Sequence, residues 1–159
     1  MSFADKILSS ENLARLVSSA PRPMVFTNGV FDLIHPGHVT YLEEARALGS
    51  SLFVGLNSDQ STRLLNKDPD RPINSERDRA IILAALESVT FVALFDERTP
   101  VSLIKRVRPD IYVKGGDYDV ETLEESHCVA SWGGRAAALP FLGGYSTTEI
   151  VRRIRSQHC

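Results

Sequence analysis

Short apolar runs alternate with helix-length segments from residue 24 to the C-terminus, and that alternation leaves few architectures open. Strand-like stretches fall at 24–27, 51–56, 90–94, 111–113 and 135–139. Between them lie segments with helical spacing. Val39, Leu42, Ala45 and Leu48 recur every third residue, with Gly49 as a stop. Ser75 precedes a helix whose apolar face carries Ile81, Ile82, Ala85 and Leu86. Thr99 and Pro100 open a helix to 107, residues 120–129 read as helical, and Ser146 opens a last helix with Ile150, Val151 and Ile154. The run at 51–56 is apolar on both faces, as a central parallel strand requires. Strands separated by helices predict an α/β fold: an open, mainly parallel sheet with helices on both faces.

The chain has 159 residues, which suits one domain, with residues 1–20 expected as an N-terminal helical arm. Ser10 is the expected cap of a short helix ended by Pro21 and Pro23. A net charge of −2 implies no broad basic surface for nucleic acid. No apolar run approaches the roughly 20 residues that span a bilayer, and the first residues lack signal-peptide character. Two cysteines, Cys128 and Cys159, make no disulfide framework. The expectation is a cytoplasmic protein that binds neither nucleic acid nor membrane.

The segment from Thr27 to His38 carries the strongest chemical signal. An apolar strand runs into Asn28, Gly29, Val30, Phe31 and Asp32, and a His-x-Gly-His element, His35 to His38, opens the next helix. A first helical turn offers unpaired N–H groups and partial positive charge, which suit phosphate. Two imidazoles beside it can donate hydrogen bonds to phosphate oxygens, and Gly29 and Gly37 allow close backbone approach. A zinc pair is the competing reading, but no further His or Cys stands at an obvious ligand spacing. Asp32 is read either as a contact to sugar hydroxyls or a hydrated metal, or as an Asx-type brace of its own turn.

Other candidates also follow predicted strands, so they converge on one sheet edge. Ser146, Thr147 and Thr148 either cap the last helix or present its amides and hydroxyls to phosphate. Lys114 and Gly115 begin a glycine-bearing loop in which Asp117 or Tyr118 can border a base or sugar. Asn57 ends a central strand, where it serves a nucleotide or caps a helix. Arg63 and Lys67 flank a polar, proline-containing loop at 66–75, either as a lid over an acceptor or as surface charge.

Five segments together carry a family resemblance: TNGVFDLIHPGHVTYLEEAR, LNSDQST, RPINSERDR, VKGGDY and GGYSTTEIV. The chain resembles the cytidylyltransferase-like nucleotidyltransferases, with their Rossmann-like fold, and within them the bacterial heptose 1-phosphate adenylyltransferases. In that group the activity is often the C-terminal half of a bifunctional protein that also holds a sugar kinase; a stand-alone form is expected here. The resemblance implies attack of D-glycero-D-manno-heptose 1-phosphate on the α-phosphorus of ATP, giving ADP-heptose and pyrophosphate. It implies that His35 and His38 hold the triphosphate and stabilise charge at the α-phosphoryl group. It implies that an arginine at 79 reaches the phosphates, with Arg77 as competitor. Mg²⁺ would arrive with ATP, with no direct protein ligand, and a homodimer is expected.

Two other readings remain open. A CTP-dependent cytidylyltransferase acting on glycerol 3-phosphate shares the histidine and Ser-Thr-Thr elements. It typically carries Arg-Thr-x-Gly where this chain has Phe141-Leu142-Gly143-Gly144, and an aromatic residue where Asn28 stands. Val30 departs slightly from the heptose group, where Cys is common. Outside catalysis, a nucleotide-binding regulatory module on the same fold is the alternative.

Overall fold

The computed structural model describes residues 1–65, 68–117 and 119–157. Six strands form one sheet: β1 (Ile7–Leu8), β2 (Met24–Gly29), β3 (Ser51–Asn57), β4 (Phe91–Phe95), β5 (Ile111–Gly115) and β6 (Arg135–Leu139). Their spatial order is β1-β4-β3-β2-β5-β6, and every adjacent pair is parallel. Helices α1 (Leu13–Ser19), α2 (Pro36–Ala47), α3 (Asp59–Leu64), α4 (Glu76–Ala85), α5 (Val101–Val107), α6 (Glu124–Ala130) and α7 (Thr147–Ser156) connect or follow them.

Alternation along each strand divides the core in two. On one face Phe26, Phe53, Phe91 and Tyr112 pack with Leu13 and Val17 of α1, Leu103 and Ile104 of α5, and Val129 of α6. On the other, Val25, Leu52, Val54, Val92 and Val113 meet Tyr41 and Leu42 of α2 and Leu83 of α4. All seven residues of β3 are buried, as expected for a strand covered on both sides. Gly55 leaves room within it: a Cβ there would stand 2.7 Å from the Phe26 ring, which stacks on Phe53 at 5.6 Å.

The chain departs from the predicted elements in three places. Residues 1–20 are not simply a helical arm: Ile7 and Leu8 add β1 to the sheet edge beside β4, and Asn12 rather than Ser10 precedes α1. A two-residue strand has no periodicity to read, and only its partner reveals it. The segment 120–129 splits into a 3₁₀ turn at Val120–Thr122 and α6, because Leu123 between them is extended. Helix α7 buries none of its residues, and Ile154 is exposed.

Strand order reverses between β2 and β5. The chain proceeds from β2 through β3 to β4 on one side, then returns to β5 and β6 on the other. A crevice beyond the carboxyl ends of such strands is where open α/β sheets bind ligands.

Candidate active site

A cleft of about 980 Å³ opens at that reversal point. Its floor is the end of β2 and the turn after it, from Asn28 to Asp32, and the imidazoles of His35 and His38. Lys114 and Gly115 enter from the end of β5, and Ser146, Thr147 and Thr148 from the start of α7. Elements more than a hundred residues apart in sequence therefore share one cavity.

Each imidazole is held by its neighbours. His35 is the N-cap of α2, with extended backbone, and Pro36 follows at the first helical position. Its Nδ1 accepts the His38 amide at 3.3 Å. That acceptor role fixes the tautomer, leaving the proton on Nε2 as a donor. Burial lowers the His35 pKa, so the ring is neutral at pH 7. The two imidazoles stack at 3.8 Å, Tyr145 lies parallel to His35 at 6.1 Å, and Phe31 meets His38 edge-on at 5.2 Å. Gly37 fits beneath this stack: a Cβ would stand 3.0 Å from the His35 ring and 3.2 Å from Tyr145 Cβ.

The floor is braced from below. Tyr41 of α2 shares a 2.7 Å hydrogen bond with Thr27 Oγ1 and donates to the Val113 carbonyl, linking β2 to β5. Burial pushes its phenol up to about 12, so it remains protonated. Tyr112 donates to Asn28 Oδ1 at 3.1 Å, which leaves the Asn28 amide nitrogen as a donor at the cleft. Phe31 holds a positive φ of 47°, a sparsely populated conformation, at the tightest part of the turn.

At the α7 side, Ser146 caps the helix by accepting the Glu149 amide at 3.0 Å. Thr147 Oγ1 donates to the Leu33 carbonyl at 3.3 Å, tying α7 to the loop before His35. Thr148 is exposed in the cleft.

Four expected site residues stand elsewhere. Arg79 is fully buried and does not reach the cleft. Its guanidinium donates to the carbonyls of Asn74, Val30 and Asn57 and to Asp59 Oδ1, all between 2.7 and 3.0 Å. It ties α4 to the ends of β2 and β3. Arg77, its competitor, is exposed and also outside the lining. Asn57 donates through Nδ2 to Ser61 at 2.9 Å, bracing α3. Arg63 lies on the exposed side of α3, and Asp117 is exposed beyond the lining. Lys67 and Tyr118 lie outside the described residues.

Asp32 borders the cleft, but its carboxylate is occupied. It accepts Arg71 Nε at 2.6 Å, the Ile73 amide on both oxygens, and the Asn74 amide at 2.9 Å. Burial opposes its ionisation, yet these backbone and arginine donors hold its pKa below the ordinary value. Its carboxylate thus contacts the loop at 71–74.

Sequence reasoning passed over several lining residues. Arg71, Asp68 and Asp70 come from the polar loop, Phe141 and Tyr145 from the approach to α7, and Arg152 and Arg155 from α7 itself. Arg71 is brought in by its pairing with Asp32, which spacing cannot reveal. The α7 arginines had a signal: Thr148, Val151, Arg152 and Arg155 follow the 3–4–7 spacing of one helix face. Among the described residues, no group of three or more His, Cys, Asp or Glu is placed to hold a metal ion.

Residues 26–153 match the cytidylyltransferase-like family model. This chain belongs to the cytidylyltransferase-like family. Among family members, it is 54% identical over 155 residues to a D-beta-D-heptose 1-phosphate adenylyltransferase of Bordetella bronchiseptica, covering 96% of each chain. It is 48% identical to the bifunctional protein HldE of Syntrophotalea carbinolica, where 99% of this chain covers 33% of that protein. The chain thus spans about a third of the length of that bifunctional relative. A lipopolysaccharide core biosynthesis protein from Thermoplasma volcanium superposes with a TM-score of 0.62 at 28% identity, covering 75% of this chain and 95% of that one. In the cytidylyltransferase-like fold of this chain, the histidine pair and the Ser-Thr-Thr helix start lie within the matched segment.

Proposed function

We propose that this chain transfers AMP from ATP to D-glycero-β-D-manno-heptose 1-phosphate, giving ADP-heptose and pyrophosphate. The 54% identical relative supports the substrate pair. The observation that carries the chemistry is the shared cleft: the stacked imidazoles of His35 and His38 face the N-terminus of α7 across it.

A phosphate oxygen of the sugar phosphate attacks the α-phosphorus in line. The new P–O bond forms as the bond to the bridging α,β oxygen breaks, and that oxygen leaves with pyrophosphate. The nucleophile is already an anion, so no strong base is required. Catalysis then rests on positioning and on donors aimed at developing charge. Neutral His35 donates through Nε2 without carrying charge of its own, and His38 stands directly over it. The first amides of α7 and the Thr148 hydroxyl receive the distal phosphates. Lys114 contributes a cation from the β5 side. Phe141, Tyr41 and Gly115 give that side an apolar wall suited to the base.

Mg²⁺ supplies further charge neutralisation when bound with ATP. We further propose a homodimer and a cytoplasmic location. Among the described residues, no helix is long and apolar enough to cross a membrane.

The test measures pyrophosphate release for ATP and CTP, each with heptose 1-phosphate and glycerol 3-phosphate. Preference for ATP with the heptose is expected. Preference for CTP with glycerol 3-phosphate would reassign the substrate pair, and no release in any combination would favour a binding module. Replacing His35 or His38 with Ala should lower kcat by roughly 10²–10³-fold while changing the KM for ATP much less. An unchanged kcat would remove the histidines from the reaction.

A further inference from the structure

Besides the paired Asp32, two more carboxylates line the cleft. Asp68 and Asp70 stand on its loop side, where they oppose a phosphorylated substrate. Arg155 of α7 reaches across to both, at 3.2 Å from Asp70 and 3.9 Å from Asp68. The bridge joins the C-terminal helix to the loop that Asp32 anchors.

The cleft arginines differ in how firmly they are held. Arg71 is 12% exposed against a fully buried Asp32, a pair that solvent does not loosen. Arg152 is gripped through both its Nε and one terminal nitrogen by Glu149 on the same helix. Arg155 is 61% exposed and its nearer partner Asp70 is 74% exposed. A pair so wet contributes little to stability and exchanges easily. A phosphate dianion offers a guanidinium two parallel acceptor oxygens and twice the charge of a carboxylate, a stronger partner than an exposed carboxylate.

We infer that Arg155 is a binding residue for the phosphate of the acceptor sugar, released from Asp68 and Asp70 when that phosphate enters. This inference rests on the reaction proposed above. Position along α7 supports it. Arg155 lies eight residues past Thr147, roughly 12 Å along the helix axis. With the nucleotide's distal phosphates at the helix start, that separation leaves room in the cleft for an acceptor phosphate beside Arg155. The opposite wall, at Phe141 and Gly115, is apolar and suits the base. Asp68 and Asp70 hold the guanidinium at the cleft.

Steady-state kinetics on the full chain compare wild type, Arg155→Ala, and the double variant Asp68→Asn with Asp70→Asn. Arg155→Ala should raise the KM for heptose 1-phosphate about tenfold or more, with the KM for ATP within about twofold. The double Asn variant frees the arginine and should lower the acceptor KM. If the bridge merely tethers the loop, both variants break it and both raise the acceptor KM, which would overturn the inference. A rise confined to the KM for ATP would overturn it as well, by assigning Arg155 to the nucleotide.

Calorimetric binding of heptose 1-phosphate, in the presence of α,β-methylene-ATP, separates this inference from the proposed reaction. A wild type that binds the sugar phosphate but releases no pyrophosphate would sink the reaction alone. Arg155 would then stand or fall on whether Arg155→Ala weakens that binding. No binding to wild type would overturn the assignment of Arg155.

Discussion

His35 accepts the His38 amide through Nδ1, and a second proton on the ring would break that cap. Burial lowers its folded pKa below the ordinary 6.5. The fold therefore favours the neutral ring, and the associated stability is complete above about pH 6.5 and lost as pH falls through the lower folded value. An NMR titration should place the His35 midpoint below 6.5; a midpoint above it would contradict the cap geometry. Arg79 shows the other use of a polar side chain. Its four bonds are made at zero exposure, so Arg79→Ala leaves three carbonyls and Asp59 without their donor. We expect a loss of about 3–5 kcal/mol in urea unfolding. A near-neutral change would mean that water replaces the guanidinium. The phosphate role expected of Arg79 comes from the family resemblance, and nothing in the spacing of a helical arginine marks it as buried.

Elements carry the site through their ends. Helix α2 begins with a histidine cap and a proline, so the local sequence that starts the helix also sets the first imidazole. Strand β5 ends at Gly115, where a Cβ would stand 2.5 Å from the Phe141 ring and 3.2 Å from Tyr41. Phe141 is 60% exposed and free to swing outward. Gly115→Ala should therefore cost little stability, yet raise the KM for ATP several-fold, on the order of one lost apolar contact. An unaltered KM would show that the Phe141 wall does not border the nucleotide. The 3₁₀ turn and α6 illustrate what an apolar pattern misses: it runs through Leu123, while the extended backbone there breaks the segment in two.

On the scale of the molecule, β1 closes one edge of the sheet. It pairs with β4, and Lys6 next to it donates to the carbonyls of Leu86 and Val89 at 3.1 and 2.9 Å. Removing residues 1–8 would expose the full backbone edge of β4. Light scattering on that truncation should show assemblies larger than those of the full chain. An equally monodisperse sample would mean that the β4 edge is protected by other means. The reversal of strand order between β2 and β5 is the other property of the whole, since it brings the ends of these two strands to one cavity.

Alternation of apolar runs with helical spacing determined the parallel sheet and its covering helices, because burial on two faces demands that pattern. The order of chemical groups around Gly29, the histidine pair and Ser146 to Thr148 marked one candidate helix start after β2 and another at α7, and both line the cleft. These signals are local, so they survive in the linear chain. Which charged side chains reach the cleft was decided only by tertiary structure. Arg79 turns inward and Arg71 outward because Asp59 and Asp32 sit where distant strands deliver them. Arg155 meets Asp68 and Asp70 across more than eighty residues of sequence. Long-range ion pairing leaves no period in the sequence, since it depends on where two separate elements end in space.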